Sequence, residues 1–263
     1  MDGYHEIASL LHAISFGDSI EVSFADRDKL TFEGEEIPID DSNLIMKALY
    51  LFRRERSFSQ HIHFHIKKKI PIGSGLGGGS SNAATALWAL NELSGKRVKE
   101  NQLQVLAAQL GSDVPFFFST GCGLCTGRGE KVQNYVINWS LPIFLALVNT
   151  PVDTKRVYSF YQKKQSAISI PTSQLLQDYV KGIFHRVNDL ESAAFFLYPS
   201  LKGEKEHLQK MFSKTFSMTG SGGSFFCISN QEQDFFSKRT KIVKTSCISR
   251  KVGEWYSLND IFV

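Results

Sequence analysis

The sequence predicts an α+β fold in two parts, and three features of the chain lead to this class. The segment before residue 70 alternates apolar and polar residues, as in SIEVSF and HIHFHI, which is typical of half-buried strands. Five glycines between Gly73 and Gly79 then lead straight into an alanine- and leucine-rich helix. Beyond residue 140, helical and strand-like segments alternate, which favours packed layers of helix and sheet.

The first elements are strands followed by one helix. ASLLHAISFGDSIEVSF (8–24) predicts one or two strands, and LTFEG (30–34) and EEIPID (35–40) predict hairpin-like pieces. DSNLIMKALYLFRRE (41–55) predicts a helix, because an Asp/Ser cap precedes apolar residues at helical spacing. HIHFHI (61–66) predicts the strand that leads into the glycine-rich loop.

Three further elements are expected around and after the glycine-rich loop. Ser80 or Ser81 is expected to cap the helix that follows the loop, and Ser94 with Gly95 to close it. KENQLQVLAAQLG (99–111) predicts a second amphipathic helix. SDVPFFF begins a short apolar element, with Asp113 at a capping position.

The second half is predicted to open with the strand LPIFLALV (141–148). Helices are expected at about 155–163, 172–182 and 202–212, and strands at FSMTG, SFFCIS and KIVKTSCIS. The change of pattern predicts one domain over residues 1–140 and a second over 141–263.

The composition is that of an ordinary globular protein. The chain has 263 residues, of which 42% are hydrophobic and 21% charged. A net charge of +4 from scattered Lys and Arg does not favour nucleic-acid binding, and a small anionic ligand fits better. No apolar run is long enough to span a membrane, and the start MDGYHEI does not resemble a secretory signal. We therefore predict a cytoplasmic protein with neither a membrane nor a nucleic-acid partner, and its oligomeric state stays open.

No metal-ligating residues are predicted. Cys122 and Cys125 form one C-x-x-C pair, but the other two, Cys227 and Cys247, are 20 residues apart, so a four-cysteine zinc site is not supported. The three histidines of HIHFHI have a spacing that could hold a metal, yet a solvated edge strand is the commoner explanation. The lysines at 67–69 are interpreted as solvated charge close to the loop.

The glycine-rich loop predicts an anion site, with phosphate as the leading candidate. Each glycine loses more backbone freedom on folding than any other residue, so a run of glycines indicates a compensating use. A helix start leaves N–H groups without intrahelical partners and carries partial positive charge. Glycines before the helix N-terminus have no side chains, so an anion can approach the backbone N–H groups closely.

Three common nucleotide-binding loops are excluded by the residues around the glycines. Gly73, Gly75 and Gly78 match G-x-G-x-x-G, but in a dinucleotide fold the next strand ends in an acidic residue about 20 positions on. Here Glu92 lies inside the predicted helix itself, and a second helix follows instead of a strand. No Gly-Lys-Ser/Thr follows the glycines, which excludes a Walker A loop. The H-R-D and D-F-G sequences of protein kinases do not occur.

The loop PIGSGLGGGSSNAA (71–84) resembles the phosphate loop of the GHMP kinase superfamily, which includes galactokinase, homoserine kinase and mevalonate kinase. Within it, the chain is most similar to the 4-diphosphocytidyl-2-C-methyl-D-erythritol kinases. Five further motifs carry this resemblance in the family's order over nearly the whole chain: DGYHEI (2–7), GSDVPFF (111–117), TGRGE (126–130), NDLE (188–191) and MTGSGGSFF (218–226).

The resemblance implies a two-domain GHMP kinase fold with the active site in the cleft between the domains. It implies ATP and Mg²⁺, and phosphorylation of the 2-hydroxyl of a methylerythritol that carries a cytidine diphosphate group. This is a step of the non-mevalonate, or methylerythritol phosphate, route to isoprenoids. Such a transfer depends mainly on positioning and on charge neutralisation, which loop amides and a helix dipole supply.

The same resemblance implies roles for particular residues. Asp113 matches the catalytic aspartate, placed to accept the hydroxyl proton. The residues implied to bind ATP are Pro71, Ile72, Gly73, Ser74, Gly75, Leu76, Gly77, Gly78, Gly79, Ser80 and Ser81. The residues implied to bind the substrate are Tyr4, His5, Thr154, Tyr158, Gly220, Ser221, Gly222 and Gly223.

The catalytic and substrate-binding residues also have a purely structural explanation. Asp113 would serve as the N-cap of the short turn after it. Tyr4 and His5 would close a β-turn, Thr154 would cap a helix, and Tyr158 would be a core aromatic. TGSGG (219–223) would be a tight turn between strands.

Two other functions stay open. One is a GHMP kinase for another small alcohol such as homoserine or mevalonate, against which DGYH argues because those relatives have no cytosine to bind. The other is a non-catalytic nucleotide-binding relative. It is suggested because the family's Lys-x-Asn strand, implied upstream of DGYH, does not precede Asp2 in this sequence. We expect that the native chain is longer and supplies this lysine.

Overall fold

The computed structural model describes residues 7–95, 98–137, 142–163, 171–185, 187–229, 237 and 240–251. Its strands are β1 (Ile7–His12), β2 (Ser19–Phe24), β3 (Lys29–Gly34), β4 (Ile62–Lys68), β5 (Cys122–Gly127), β6 (Lys131–Asn134), β7 (Pro142–Leu147), β8 (Ser217–Met218), β9 (Ser224–Ile228) and β10 (Lys241–Ser246). Its α-helices are α1 (Leu44–Arg56), α2 (Gly78–Leu93), α3 (Glu100–Leu110), α4 (Thr154–Lys163), α5 (Thr172–Val180), α6 (Glu191–Leu197) and α7 (Pro199–Phe212). A 3₁₀ helix spans Pro115–Phe118.

The strands form three sheets within the described residues. Their orders are β1-β5-β6, β2-β4-β3 and β10-β7-β9-β8. All pairings are antiparallel except that of β3 with β4, in which Leu30 lies opposite Phe64. In this part of the chain β1 and β2 are both edge strands, and residues of both line the large cleft described below.

The first hydrophobic core lies between the sheet β2-β4-β3 and the helices α1, α2 and α3. Ile62, Phe64 and Ile66 of β4 are fully buried, whereas the residues between them are not, so the predicted alternation is confirmed. Burial of one such side chain stabilises the fold by about 1.5–3 kcal/mol. Helices α2 and α3 end where the sequence predicts, next to Ser94 and Gly111 respectively.

Helix α1 begins one residue later than its predicted cap. Asn43 is the N-cap, and its Oδ1 accepts a hydrogen bond from the N–H of Ile45 at 2.9 Å. Asp40 instead accepts from the N–H of Ser42, which makes a turn before the helix. The predicted Asp/Ser cap is therefore wrong. The segment EEIPID (35–40) is not a strand but an irregular segment that leads into the turn before α1.

His63 and His65 of HIHFHI lie on a central strand, so the expected solvated edge is wrong for these two residues. Strand β4 is bordered by β2 and β3. Thr31 on β3 places its Oγ1 2.8 Å from His63 Nε2 and 2.9 Å from His65 Nδ1. Among the described residues there is no group of three His, Cys, Asp or Glu side chains arranged to hold a metal ion.

The second core packs α4, α6 and α7 against β7 and β9, with Phe216, Phe225 and Leu201 fully buried. The chain returns from β10 to the first half, where the N–H of Ile248 donates to Ala13 O at 2.8 Å.

Sequence patterns did not reveal α6, β5 or β6, because all three are short and β5 (CGLCTG) carries two glycines. The division into domains 1–140 and 141–263 stays a prediction, since residues 138–141 lie outside the described ranges.

In the described part of the chain, no helix has both the length and the apolar character to cross a lipid bilayer. The cytoplasmic location stays a prediction.

The four cysteines are free thiols, and three of them are buried. Burial raises the pKa of Cys122 to about 11 and that of Cys125 to about 12, so both thiols are protonated and unreactive at neutral pH.

Asp28 fastens the beginning of β4 and provides a test of stability. Its carboxylate accepts hydrogen bonds from Arg53 and, at 3.0 Å, from the N–H of Ile62. The Arg53 hydrogen bonds hold the pKa of Asp28 at about 2. Because this pKa lies below the unfolded value, the ionised carboxylate stabilises the fold above pH ~4, and this contribution disappears as the pH falls through about 2.

We expect Asp28→Asn to lower the free energy of unfolding by about 1 kcal/mol at pH 7, because the side chain is partly solvent-screened. At pH 3 the loss is expected to be about half as large. Urea unfolding of the parent chain and the variant at both pH values measures the difference. An equal loss at both would mean that the charge of Asp28 contributes nothing.

Candidate active site

Two glycine-rich loops contact each other in the structure. The first joins β4 to α2, and the second, Thr219–Gly223, joins β8 to β9. Thr219 Oγ1 donates a hydrogen bond to Ser74 O at 3.1 Å. A Cβ atom added to Gly75 would lie 2.3 Å from Thr219 O, and one added to Gly223 would lie 2.3 Å from Gly73 O. The two backbones approach so closely that only glycine fits at these positions.

Helix α2 begins with a left-handed glycine instead of a serine cap. Gly77 is the N-cap with φ +68°, and no side chain caps the helix. Ser80 and Ser81 lie inside the first turn, where the Ser81 hydroxyl donates to Gly78 O at 2.9 Å, so the expectation that one of them caps the helix is wrong. The N-terminal amides are left for water or a ligand, which is the arrangement of an anion site.

A cleft of about 1600 Å³ brings seven of the predicted site residues together. Its walls contain the predicted site residues Gly75, Leu76, Gly77, Ser81, Asp113, Tyr158 and Gly220. The remaining predicted residues that the structure describes do not line the cleft: Pro71, Ile72, Gly73, Ser74, Gly78, Gly79, Ser80, Thr154, Ser221, Gly222 and Gly223. Tyr4 and His5 lie outside the described residues.

Asp113 faces the cleft from the turn between α3 and the 3₁₀ helix. The residue before this helix is Val114, and no side chain caps it, so the structural alternative of Asp113 as an N-cap is wrong. The carboxylate is open to the water of the cleft, while the surrounding protein walls raise its pKa. An ionised carboxylate of raised pKa is chemically suited to accept a proton.

Helix α4 carries the other predicted substrate residues. Tyr158 is half-buried and lines the same cleft as Asp113. Its pKa is raised by burial and then by the negative charge of Asp113. Thr154 Oγ1 lies 2.8 Å from the hydroxyl of Ser221 in the second loop. Asp153 accepts from the N–H of Arg156 at 3.1 Å and thus caps α4, so Thr154 is not the cap.

Comparison with known proteins gives the family. Residues 43–121 match the model of the GHMP kinases N terminal domain. The chain is 39% identical over 272 residues to the chloroplastic 4-diphosphocytidyl-2-C-methyl-D-erythritol kinase of Arabidopsis thaliana, covering 97% of this chain and 71% of that protein. It is 38% identical over 260 residues to the enzyme of that name from Protochlamydia amoebophila, covering 97% and 86%. The chain belongs to the 4-diphosphocytidyl-2-C-methyl-D-erythritol kinase family.

A solved structure agrees with this assignment. The crystal structure of a 4-(cytidine 5'-diphospho)-2C-methyl-D-erythritol kinase superposes with a TM-score of 0.77 at 28% identity, covering 94% of this chain and 92% of that one. The predicted α+β GHMP kinase fold and the prediction of a small-molecule kinase are confirmed.

Asn188 of this kinase is a site residue to which the sequence analysis gave no role. Its side-chain amide donates to Met218 O and to Gly220 O, both at 2.9 Å, and so fastens the second glycine loop. The motif NDLE contained this asparagine, but the residue's contacts lie some 30 positions away in the sequence.

Lys68 is buried, so the interpretation of all three lysines of the kinase as solvated charge is wrong. Its side chain is 6% exposed and that of Asp18 0%, and their Nζ and Oδ2 atoms lie 2.8 Å apart. Lys67 fits the prediction, since it is exposed and forms a surface ion pair with Glu21 at 3.0 Å. No sequence pattern signals the Asp18–Lys68 pair, because the partners are 50 residues apart.

Proposed function

We propose that this kinase transfers the γ-phosphoryl group of ATP to the 2-hydroxyl of 4-diphosphocytidyl-2-C-methyl-D-erythritol, a step of the non-mevalonate isoprenoid pathway. The observation that carries the proposal is that Asp113 and the first glycine loop line the same cleft. A base and a phosphate site must face each other across a shared space for an alcohol to attack phosphorus. We include in this proposal that residues 1–140 and 141–263 are two domains flanking the cleft.

The first loop suits the phosphates of ATP. The start of α2 has no side-chain cap, and Gly75, Leu76 and Gly77 line the cleft in front of it. Amide N–H groups and the helix dipole there would neutralise phosphate charge without reorganisation. We assign the nucleotide to the predicted ATP-binding residues, Pro71 through Ser81. Those that do not line the cleft would set the shape of the loop.

Asp113 would act as the general base. Its carboxylate would accept the proton of the 2-hydroxyl as that oxygen forms its bond to the γ-phosphorus and the bond to the departing ADP breaks. The protein walls around Asp113 raise its pKa, which strengthens the carboxylate as a base.

The cytidine end of the substrate would lie toward α4. Tyr158 lines the same cleft as Asp113, and its ring would pack on the cytosine face. Thr154 and the second loop, Gly220 to Gly223, would hold the neighbouring part of the substrate. Tyr4 and His5 remain part of the proposal as the residues that contact the base.

Mg²⁺ completes the proposal as a second cofactor. This ion takes oxygen ligands and is bound chiefly through nucleotide phosphates with one or two protein oxygens. The Ser81 hydroxyl donates its proton to Gly78 O and keeps its lone pairs, so it fits as such a ligand in the cleft wall. When bound, the ion would offset the negative charge of the phosphates.

The test is an assay with ATP and Mg²⁺ and three separate acceptors: 4-diphosphocytidyl-2-C-methyl-D-erythritol, homoserine and mevalonate. We expect a phosphorylated product, identified by its mass, from the first acceptor alone. Phosphorylation of either other alcohol in preference would replace the substrate. ATP binding without transfer to any of the three would favour the non-catalytic alternative.

A further inference from the structure

We infer that Asp18 is a positioning residue that fastens both ends of the first glycine loop and thereby sets the affinity for ATP. This inference rests on the proposed function, in which that loop holds the phosphates. Asp18 lies immediately before β2, far from the loop in sequence, and its side chain is fully buried.

One oxygen of Asp18 holds the strand end at which the loop begins. Oδ1 accepts the backbone N–H of Lys69 at 2.7 Å and that of Ile70 at 2.8 Å. Ile70 immediately precedes Pro71, the first residue of the loop. The direction in which the chain enters the loop is therefore set by this carboxylate.

The other oxygen holds the helix in which the loop ends. Oδ2 accepts from the side-chain amide of Asn82 at 2.9 Å, and Asn82 is a buried residue in the second turn of α2. A single buried carboxylate thus bridges the residues on both sides of the loop. The loop between them includes three glycines in the left-handed region, Gly73, Gly75 and Gly77, and such backbone is costly to immobilise.

Lys68 makes this arrangement electrically neutral. Its ammonium donates to Asp18 Oδ2 at 2.8 Å and also to the carbonyl of Ile70. Burial alone would raise the pKa of Asp18, but the hydrogen bonds from Ile70, Lys68, Lys69 and Asn82 outweigh it and lower the pKa. With four donors, the carboxylate is fully satisfied and therefore rigid.

The experiment compares Asp18→Asn with Asp28→Asn as a matched control. Asp28 also pairs with a cation and accepts a backbone N–H of β4, but at the opposite end of the strand from the loop. ATP binding is measured by calorimetry without an acceptor, and the KM values for ATP and for the alcohol are measured in the full assay. We expect Asp18→Asn to weaken ATP binding and raise the KM for ATP at least tenfold, with the KM for the alcohol within twofold. Asp28→Asn should leave all three within twofold.

Two further variants separate positioning from stability. Asp18→Asn combined with Lys68→Met removes the stranded ammonium, so it should regain stability while ATP binding stays weak. Asn82→Ala releases only the helix end of the loop and should raise the KM for ATP severalfold. ATP affinity that stays normal in a folded Asp18 variant, or falls equally in Asp28→Asn, would overturn the inference. A parent chain that binds no ATP would instead overturn the proposed function together with it.

Discussion

The Asp113→Asn variant is expected to lose about 10²–10⁴-fold in kcat, the usual contribution of a general base. Asparagine keeps the size of the side chain but cannot accept the proton of the attacking hydroxyl. ATP binding should be little changed, because the phosphates are assigned to the loop before α2. The measurement is steady-state kinetics with calorimetric ATP binding as a companion.

The same variant should be at least as stable as the parent chain at pH 7. The pKa of Asp113 is raised by the protein around it, so the folded state disfavours the ionised form that prevails at pH 7. Removing the charge relieves this cost. An unchanged or higher melting temperature would therefore accompany the loss of turnover, as is common where a site sacrifices stability for chemistry.

The pH dependence gives a second measure of Asp113. Since the base must be ionised, kcat/KM of the parent chain should fall on the acid side, with a midpoint above the ordinary aspartate pKa, about 3.9. This limb should be absent from the residual activity of Asp113→Asn. Asp189, whose pKa is also raised in this cleft, supplies the control, and Asp189→Asn should keep kcat within about tenfold. Near-normal turnover of Asp113→Asn would remove this residue from the mechanism.

The Gly75→Ala variant is expected to lose measurable ATP binding. The added Cβ would lie 2.3 Å from Thr219 O and 2.8 Å from Gly222 O, so one glycine loop must move away from the other. Gly75 also has φ +72°, a conformation that costs alanine about 1 kcal/mol. We expect the free energy of unfolding to fall by about 1–3 kcal/mol from the overpacking.

A second glycine supplies the control for this variant. Gly203 lies in α7 with no atom within 4 Å of an added Cβ. Gly203→Ala should stabilise the helix by about 1 kcal/mol and leave ATP binding unchanged. Thermal unfolding and ATP calorimetry on both variants test the pair. If Gly75→Ala bound ATP normally, the contact between the two loops would have no part in the site.

The local structure of this protein could be predicted from its sequence. The alternation in HIHFHI and SIEVSF, the spacing in α1 and the glycines before α2 act over a few residues, where period and backbone preference decide the outcome. The helix caps were predicted less well. The N-cap of α2 is Gly77 in the left-handed conformation, and neither Ser80 nor Ser81 caps the helix.

The chain's own sequence thus determined most of the elements, the glycine-rich loop before α2 and the family. Only the tertiary structure decided that Asp18 reaches Lys68 and Asn82, that Thr219 meets Ser74, and that Asp113 and Tyr158 face one cleft. The physical reason is that these partners lie about 40 to 150 positions apart, so no periodicity links them. Their contacts exist because the dense packing of sheets and helices brings together buried charged side chains and the backbones of the two glycine loops.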